Sequence, residues 1–231
     1  MNYSPYYKDT GKISLASKVS MLFRRKMFAK FMAKTMPDRE QKILDIGVTS
    51  DARFQESNYF EKLYPYKDKI ICVGTEDGSY LETTYPGLKF IRIYPHEPLP
   101  FDDNEFDVAF SNAVIEHVGS RESQRAFILE MLRVSRIFFL TTPNRWFPVE
   151  FHTALPFLHF LPNKVYRKLL TILGETYWSK EENLNLLSRK ELGALFPAET
   201  NTILDSVRIF GVSTNLIAYG NSHEENRSDE S

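Results

Sequence analysis

From Lys42 onward, short apolar runs alternate with segments whose apolar residues recur at helical spacing. The runs KILDIG (42–47), IICVG (70–74), LKFIRI (88–93), FDVAFS (106–111) and RIFFLTT (136–142) predict strands, and helices are expected within 55–63, 78–83 and 120–133. Strands that alternate with helices imply parallel crossovers and an α/β, doubly wound sheet. The near-continuous apolar character of the strands fits a sheet buried on both faces.

After TTPN the alternation stops. Residues 145–178 read as an aromatic, proline-rich insertion with a helix near KVYRKLLTIL. A further helix is expected at SRKELGALF, where Ser188 is a candidate N-cap and Glu191 stands at capping-box spacing. TILDSVRIFG and STNLIAYG then predict two strands joined by a tight turn at Gly211. This antiparallel pair closes a mostly parallel, seven-stranded sheet of Rossmann-like type. Residues 41–220 are therefore expected to form one domain. Residues 221–231 lack apolar side chains and are expected to be disordered.

Ahead of this domain, every charge between Thr10 and Pro37 is positive: Lys12, Lys18, Arg24, Arg25, Lys26, Lys30 and Lys34. Apolar residues are interleaved at helical spacing, so residues 1–40 are expected to carry basic amphipathic helices. Such a face is either solvated over the domain or attracted to an anionic acceptor or membrane surface.

Composition changes this picture in three places. The net charge of −1 over 231 residues removes any argument for nucleic-acid binding from overall charge, and no nucleic-acid partner is expected. One cysteine, Cys72, rules out a disulfide framework or a thiolate cluster, and no metal ligands are expected. No apolar run approaches the ~20 residues that span a bilayer, and the first residues do not resemble a secretory signal, so a cytoplasmic location is expected.

In an open α/β sheet a ligand binds beyond the carboxyl ends of the strands. The first such turn, GVTSDARF, has one glycine, Gly47, and matches neither G-x-G-x-x-G nor the P-loop. This argues against NAD, FAD and ATP, and favours an adenosine ligand without phosphates. Thr49 and Ser50 are candidates to meet that ligand's carboxylate. Beyond the second strand, Glu76 and Asp77 stand where an acid accepts hydrogen bonds from vicinal ribose hydroxyls.

At this point the sequence resembles the class I S-adenosylmethionine-dependent methyltransferases, specifically their small-molecule group. ILDIGVTSD is similar to the first motif of that family and VGTED to the second. PLPFDDNEFDVAFSNAVIEHV (98–118) resembles its loop, strand and helix opening into EH. TTPNRWFPVEFHTALPFLHFLP resembles a subset of the group. The likeness spans 42–145. It implies S-adenosyl-L-methionine as cofactor, with Asp45 and Gly47 at the methionine end, Glu76 on the ribose, and Asn112 and Ala113 close to the cofactor through their backbone. The family's acid after the third strand is replaced by Pro95–His96, so His96 and Glu97 become the candidates at adenine.

A hydroxyl acceptor benefits from a general base near the strand ends. His117, after the fourth strand, and His152, after the fifth, are the candidates, each with an alternative reading as a packed or backbone-bonded histidine. His159 reads as packed and His223 lies in the tail. Asn144, Arg145 and Glu150 are candidates for acceptor contact. Trp146, Phe147, Phe151, Phe157 and Phe160 are expected to build a cover over the acceptor side. The expected function is methyl transfer to a small molecule or glycan, at a hydroxyl. The alternative is a methyltransferase-fold protein that serves as a binding or interaction module. A nitrogen acceptor in DNA is not expected, because TTPN lacks the aromatic of a PPY-like tetrapeptide.

Overall fold

The computed structural model describes residues 15–51 and 56–223, with side chains from Ser20 onward. Seven strands form one sheet in the order β3-β2-β1-β4-β5-β7-β6. They are β1 (Ile43–Ile46), β2 (Ile70–Gly74), β3 (Lys89–Arg92), β4 (Phe106–Asn112), β5 (Ser135–Pro143), β6 (Asn201–Ile209) and β7 (Val212–Asn221). The first five are mutually parallel, whereas β7 runs antiparallel to both β5 and β6. β1 pairs with β2 on one side and β4 on the other, which puts the reversal of strand order between β1 and β4. A ligand crevice is expected above that point.

Successive side chains of a strand point to opposite faces, and both faces are covered. Leu44, Ile46, Ala109, Phe138 and Leu140 join a core roofed by α4 (Arg121–Val134) and α6 (Arg189–Leu195). Ile43, Val108, Phe110 and Phe139 join a second core with α1 (Leu15–Thr35), α2 (Tyr59–Leu63) and α3 (Tyr80–Thr84). The basic helix is thus part of the domain. Phe23, Met27 and Phe31, one turn apart, bury themselves against the sheet, and Phe31 packs edge-on against Phe60, Phe110 and Phe139. On its polar side Lys30 pairs with Asp205, and Lys34 lies over the Tyr219 ring.

Local signals explain the boundaries. Ser188 accepts from the Glu191 N–H and Glu191 accepts from the Ser188 N–H, so α6 carries its capping box. α2 falls within the expected 55–63 and starts at Tyr59, because Asn58 sits in the left-handed region at φ 48° and a helix cannot run through it. The final hairpin turns on Phe210 and Gly211, both at positive φ (45° and 83°), as a two-residue turn requires. β7 extends to Asn221, into the expected tail; residues 224–231 of that tail, and Lys12, lie outside the described residues.

Residues 155–186 share a third, small core, and the chain from Arg145 through it is termed the lobe. α5 (Asn163–Ile172) packs Tyr166 and Leu170 against Trp178, Leu184 and Leu186. Among the described residues no helix is long and apolar enough to cross a membrane.

Candidate functional site

The strand ends between β1 and β4 open into a cavity of about 1990 Å³, larger than the ~300–1,000 Å³ of a pocket for one small ligand. Asp45, Gly47, Thr49, Glu76, His96, Glu97, Asn112, Ala113, His117 and His152 all line it. α1 contributes Phe23, Arg24 and Met27 to the same wall, and the lobe contributes Phe151–Ala154.

The first turn is tight for a steric reason. Gly47 has φ 101°, and a Cβ there would lie 2.2 Å from Val114 Cγ2, so only hydrogen fits. The Thr49 N–H donates to Asn58 Oδ1 at 3.0 Å and Asn58 Nδ2 donates back to the Thr49 carbonyl at 2.8 Å, which locks the loop. The hydroxyls expected to meet a ligand carboxylate are engaged within the protein. Thr49 Oγ1 accepts from the Asp51 N–H at 3.2 Å, while the Ser50 N–H and hydroxyl both donate to Glu76 Oε2. Ser50 therefore holds Glu76 at the cavity and does not itself line it. Glu76 is half-buried, whereas the adjacent Asp77 is exposed and accepts from the Ser79 N–H at 3.0 Å, a bond that lowers its pKa. At the end of β4, Asn112 Oδ1 accepts from the Thr141 hydroxyl at 2.7 Å, and Ala113 is forced to φ 55°.

Below the turn lies a pair of acids. Burial, and then the neighbouring Glu61 carboxyl, raises Asp45 well above the usual carboxylate range; burial likewise raises Glu61. The buried Cys72 thiol lies 3.4 Å from Glu61 Oε1, and Arg24 lies over the Tyr59 ring. The wall here favours protons or a cationic ligand group. Glu61 was not among the sequence candidates, since an acid in a short helix looks like solvated surface, and Arg24 was named only as one cation of the basic helix.

A second cluster gathers where the IEH turn after β4 meets the lobe. His117 Nδ1 is 2.7 Å from the Asn183 carbonyl, and the Asn185 N–H donates to the Glu116 carbonyl at 2.7 Å, so the chain leaving the lobe clamps the turn. Glu116 is fully buried; its Oε2 accepts from the Thr142 hydroxyl at 2.9 Å and its Oε1 has no hydrogen-bond partner. Opposite, His152 Nδ1 is 2.6 Å from Glu150 Oε1, and Glu150 Oε2 accepts from both the Thr153 N–H and its hydroxyl at 2.7 Å. The two imidazoles meet edge to face at 4.8 Å, and Trp178 flanks both. Burial lifts Glu116 to about 7 and drives His117 down to about 3, while Glu150 overcomes burial to raise His152 and is itself held near 2 by these hydrogen bonds.

The remaining acceptor candidates point elsewhere. Asn144 Nδ2 donates to the Ser213 carbonyl, and Arg145 donates to the Leu161 carbonyl and lies 3.8 Å from Glu191, so both tie the lobe to β7 and α6. Glu150 is buried behind His152 and reaches the cavity only through it. His159 is packed, with Nε2 2.7 Å from the Phe147 carbonyl.

Residues 77–137 match a family described as a methyltransferase domain. In three dimensions the chain is similar to a protein of Pyrococcus horikoshii OT3 at 16% identity and a TM-score of 0.57, covering 94% of this chain and 96% of that one. It is similar to a SAM-dependent methyltransferase of Methanosarcina mazei at 18% identity and a TM-score of 0.52, covering 82% and 95%. It is also similar to a chain of the Haloferax volcanii complex of the Trm112 methyltransferase activator with a proposed methyltransferase, at 14% identity and a TM-score of 0.56, covering 90% and 94%. No curated protein sequence matches.

Proposed function

We propose that the chain, which has the fold of class I S-adenosylmethionine-dependent methyltransferases and matches a methyltransferase domain over residues 77–137, methylates a hydroxyl of a small-molecule or glycan acceptor. The cavity chemistry fits that cofactor. Glu76 offers a carboxylate to two ribose hydroxyls at the end of β2. Gly47 makes the tight turn at the cavity wall, and the Asp45–Glu61 pair suits an ammonium group. His96 and Glu97, with the segment after β3, supply the wall for adenine, and Asn112 and Ala113 line the path between them. When bound, the cofactor supplies an electrophilic methyl on a sulfonium.

What this chain must then do is orient the acceptor and exclude water, which in favourable systems is worth ~7–11 kcal/mol. His117 and His152 hold the acceptor hydroxyl, Glu150 fixes the ring of His152, and Phe151–Ala154 form the lobe's side of a cover. Arg24 on the wall, with Arg25 and Lys26 exposed on α1, suits an anionic group on the acceptor. The observation that carries this reading is that Glu76 and the paired histidines open onto one cavity large enough for two reactants.

Titration calorimetry with S-adenosylhomocysteine, followed by transfer of labelled methyl to a panel of hydroxyl-bearing acceptors, tests it. Absence of heat at millimolar cofactor on folded protein overturns the enzyme reading. One observation favours the alternative of a binding module: Glu76 already accepts two hydrogen bonds from Ser50. The same titration separates the two.

A further inference from the structure

We propose that Glu116, His117 and His152 form a binding site for one divalent transition-metal ion of the zinc class, open toward the cavity. The site deepens the acceptor reading above, on which it relies for the ion's role but not for its binding.

Each of the three residues offers one ligand atom, and these atoms lie within 4.8 Å of one another. Bonds of ~2.0–2.2 Å to a tetrahedral ion would bring them to roughly 3.4 Å apart, a closure within the reach of side-chain rotation. Glu116 supplies the independent observation. Its Oε1 is buried without a hydrogen-bond partner, although a buried polar atom normally has one, and it lies 3.9 Å from His117 Nε2. A cation between them satisfies that oxygen.

Each ligand is also held from behind, as metal-binding side chains are. The Asn183 carbonyl engages Nδ1 of His117, the Glu150 carboxylate engages Nδ1 of His152, and the Thr142 hydroxyl engages Oε2 of Glu116. The nitrogen each imidazole offers is therefore Nε2. Trp178 forms an apolar flank.

Two imidazoles and one carboxylate suit a borderline ion and not magnesium or calcium, which take oxygen ligands. Three protein ligands with a fourth position left open are the arrangement of catalytic zinc sites. Here His117 and His152 line the cavity while Glu116 stands behind them, so the open position faces inward. An acceptor hydroxyl bound there releases its proton to solvent at much lower pH than when free, leaving the electron pair on oxygen.

The test uses the tag-free 231-residue chain stripped with a chelator and titrated with Zn²⁺ and, in parallel, Co²⁺. One ion per chain is expected, with nitrogen-ligated Co²⁺ absorption in the visible range. X-ray absorption on the zinc form should count two imidazole nitrogens. Glu116→Gln and His152→Gln should abolish stoichiometric binding, and Glu150→Gln should weaken it about 10–100-fold by releasing the ring of His152. Failure of wild type to bind either ion, a zinc form without imidazole scattering, or binding unchanged in both Glu116→Gln and His152→Gln overturns the site. The zinc spectrum decides the matter even if a variant fails to fold. S-adenosylhomocysteine titrated into the same samples keeps the two readings apart: cofactor binding without metal removes the ion alone, and metal binding without cofactor removes the methyltransferase reading alone.

Discussion

At the scale of single residues, adjacent acids with different surroundings give the sharpest test. Glu76 faces the cavity and Asp77 faces solvent, where it caps Ser79. Hydrogen bonds to a charged group are worth ~1.5–3 kcal/mol, so Glu76→Gln should lower cofactor affinity by roughly tenfold to a hundredfold, and Asp77→Asn should cost much less. Calorimetry on both variants checks this, and equal losses would refute the assignment. Asp45 gives a pH signature. The groups around it are Glu61, Tyr59, Cys72, Arg24 and Lys67. The folded state raises both acids above their ordinary values of 3.8 and 4.5. The stability this confers is complete below about pH 4 and is lost as pH rises through the folded values. Asp45→Asn removes one titrating group, so its melting temperature should gain on wild type steadily as pH goes from about 4 to 8. A constant difference across that range would show that the pair ionises freely.

At the scale of elements, α1 lies over the domain with its basic face outward, and its apolar side does the packing. Its cations sit on the solvated side, and its apolar positions complete one face of the sheet. Phe31 is fully buried and meets rings from α2, β4 and β5. Phe31→Ala should cost about 3–5 kcal/mol, read as a lower denaturant midpoint with an unchanged slope. A cost under about 1 kcal/mol would mean that α1 is loosely attached. The strands were legible because a buried parallel strand must be apolar on both faces, and α6 because its cap is written in two residues, Ser188 and Glu191. The start of α2 inside its expected range was not legible, because propensity does not reveal that Asn58 adopts a left-handed conformation.

At the scale of the whole molecule, the cavity is a joint product of strand ends, α1 and the lobe, so ligand binding should couple to global stability. S-adenosylhomocysteine at one hundred times its dissociation constant should add ~2.7 kcal/mol. For a chain of this size that corresponds to a rise of roughly 5–11 °C in melting temperature. Differential scanning fluorimetry across a concentration series checks it, and a rise that does not follow cofactor concentration would argue against specific binding.

The sequence by itself determined the alternation of strands and helices, hence the doubly wound sheet, and with it the strand ends where Gly47, Glu76, Asn112 and His117 stand. These follow from local periodicity and from a topological rule, both carried by residues close together in the chain. Only the tertiary structure decided which side chains meet. Thr49 and Ser50 turned inward because the loop needs their hydroxyls for its own backbone and for Glu76. Asn144 went to β7 because β7 pairs antiparallel beside β5 and offers the Ser213 carbonyl there, and Arg145 went to the Glu191 carboxylate of α6. His117 and His152, about 35 residues apart in the chain, came together around the buried Glu116 because the lobe folds back and Asn183 and Asn185 clamp the turn. Such long-range pairings depend on how a whole lobe packs, and no spacing along the chain encodes that.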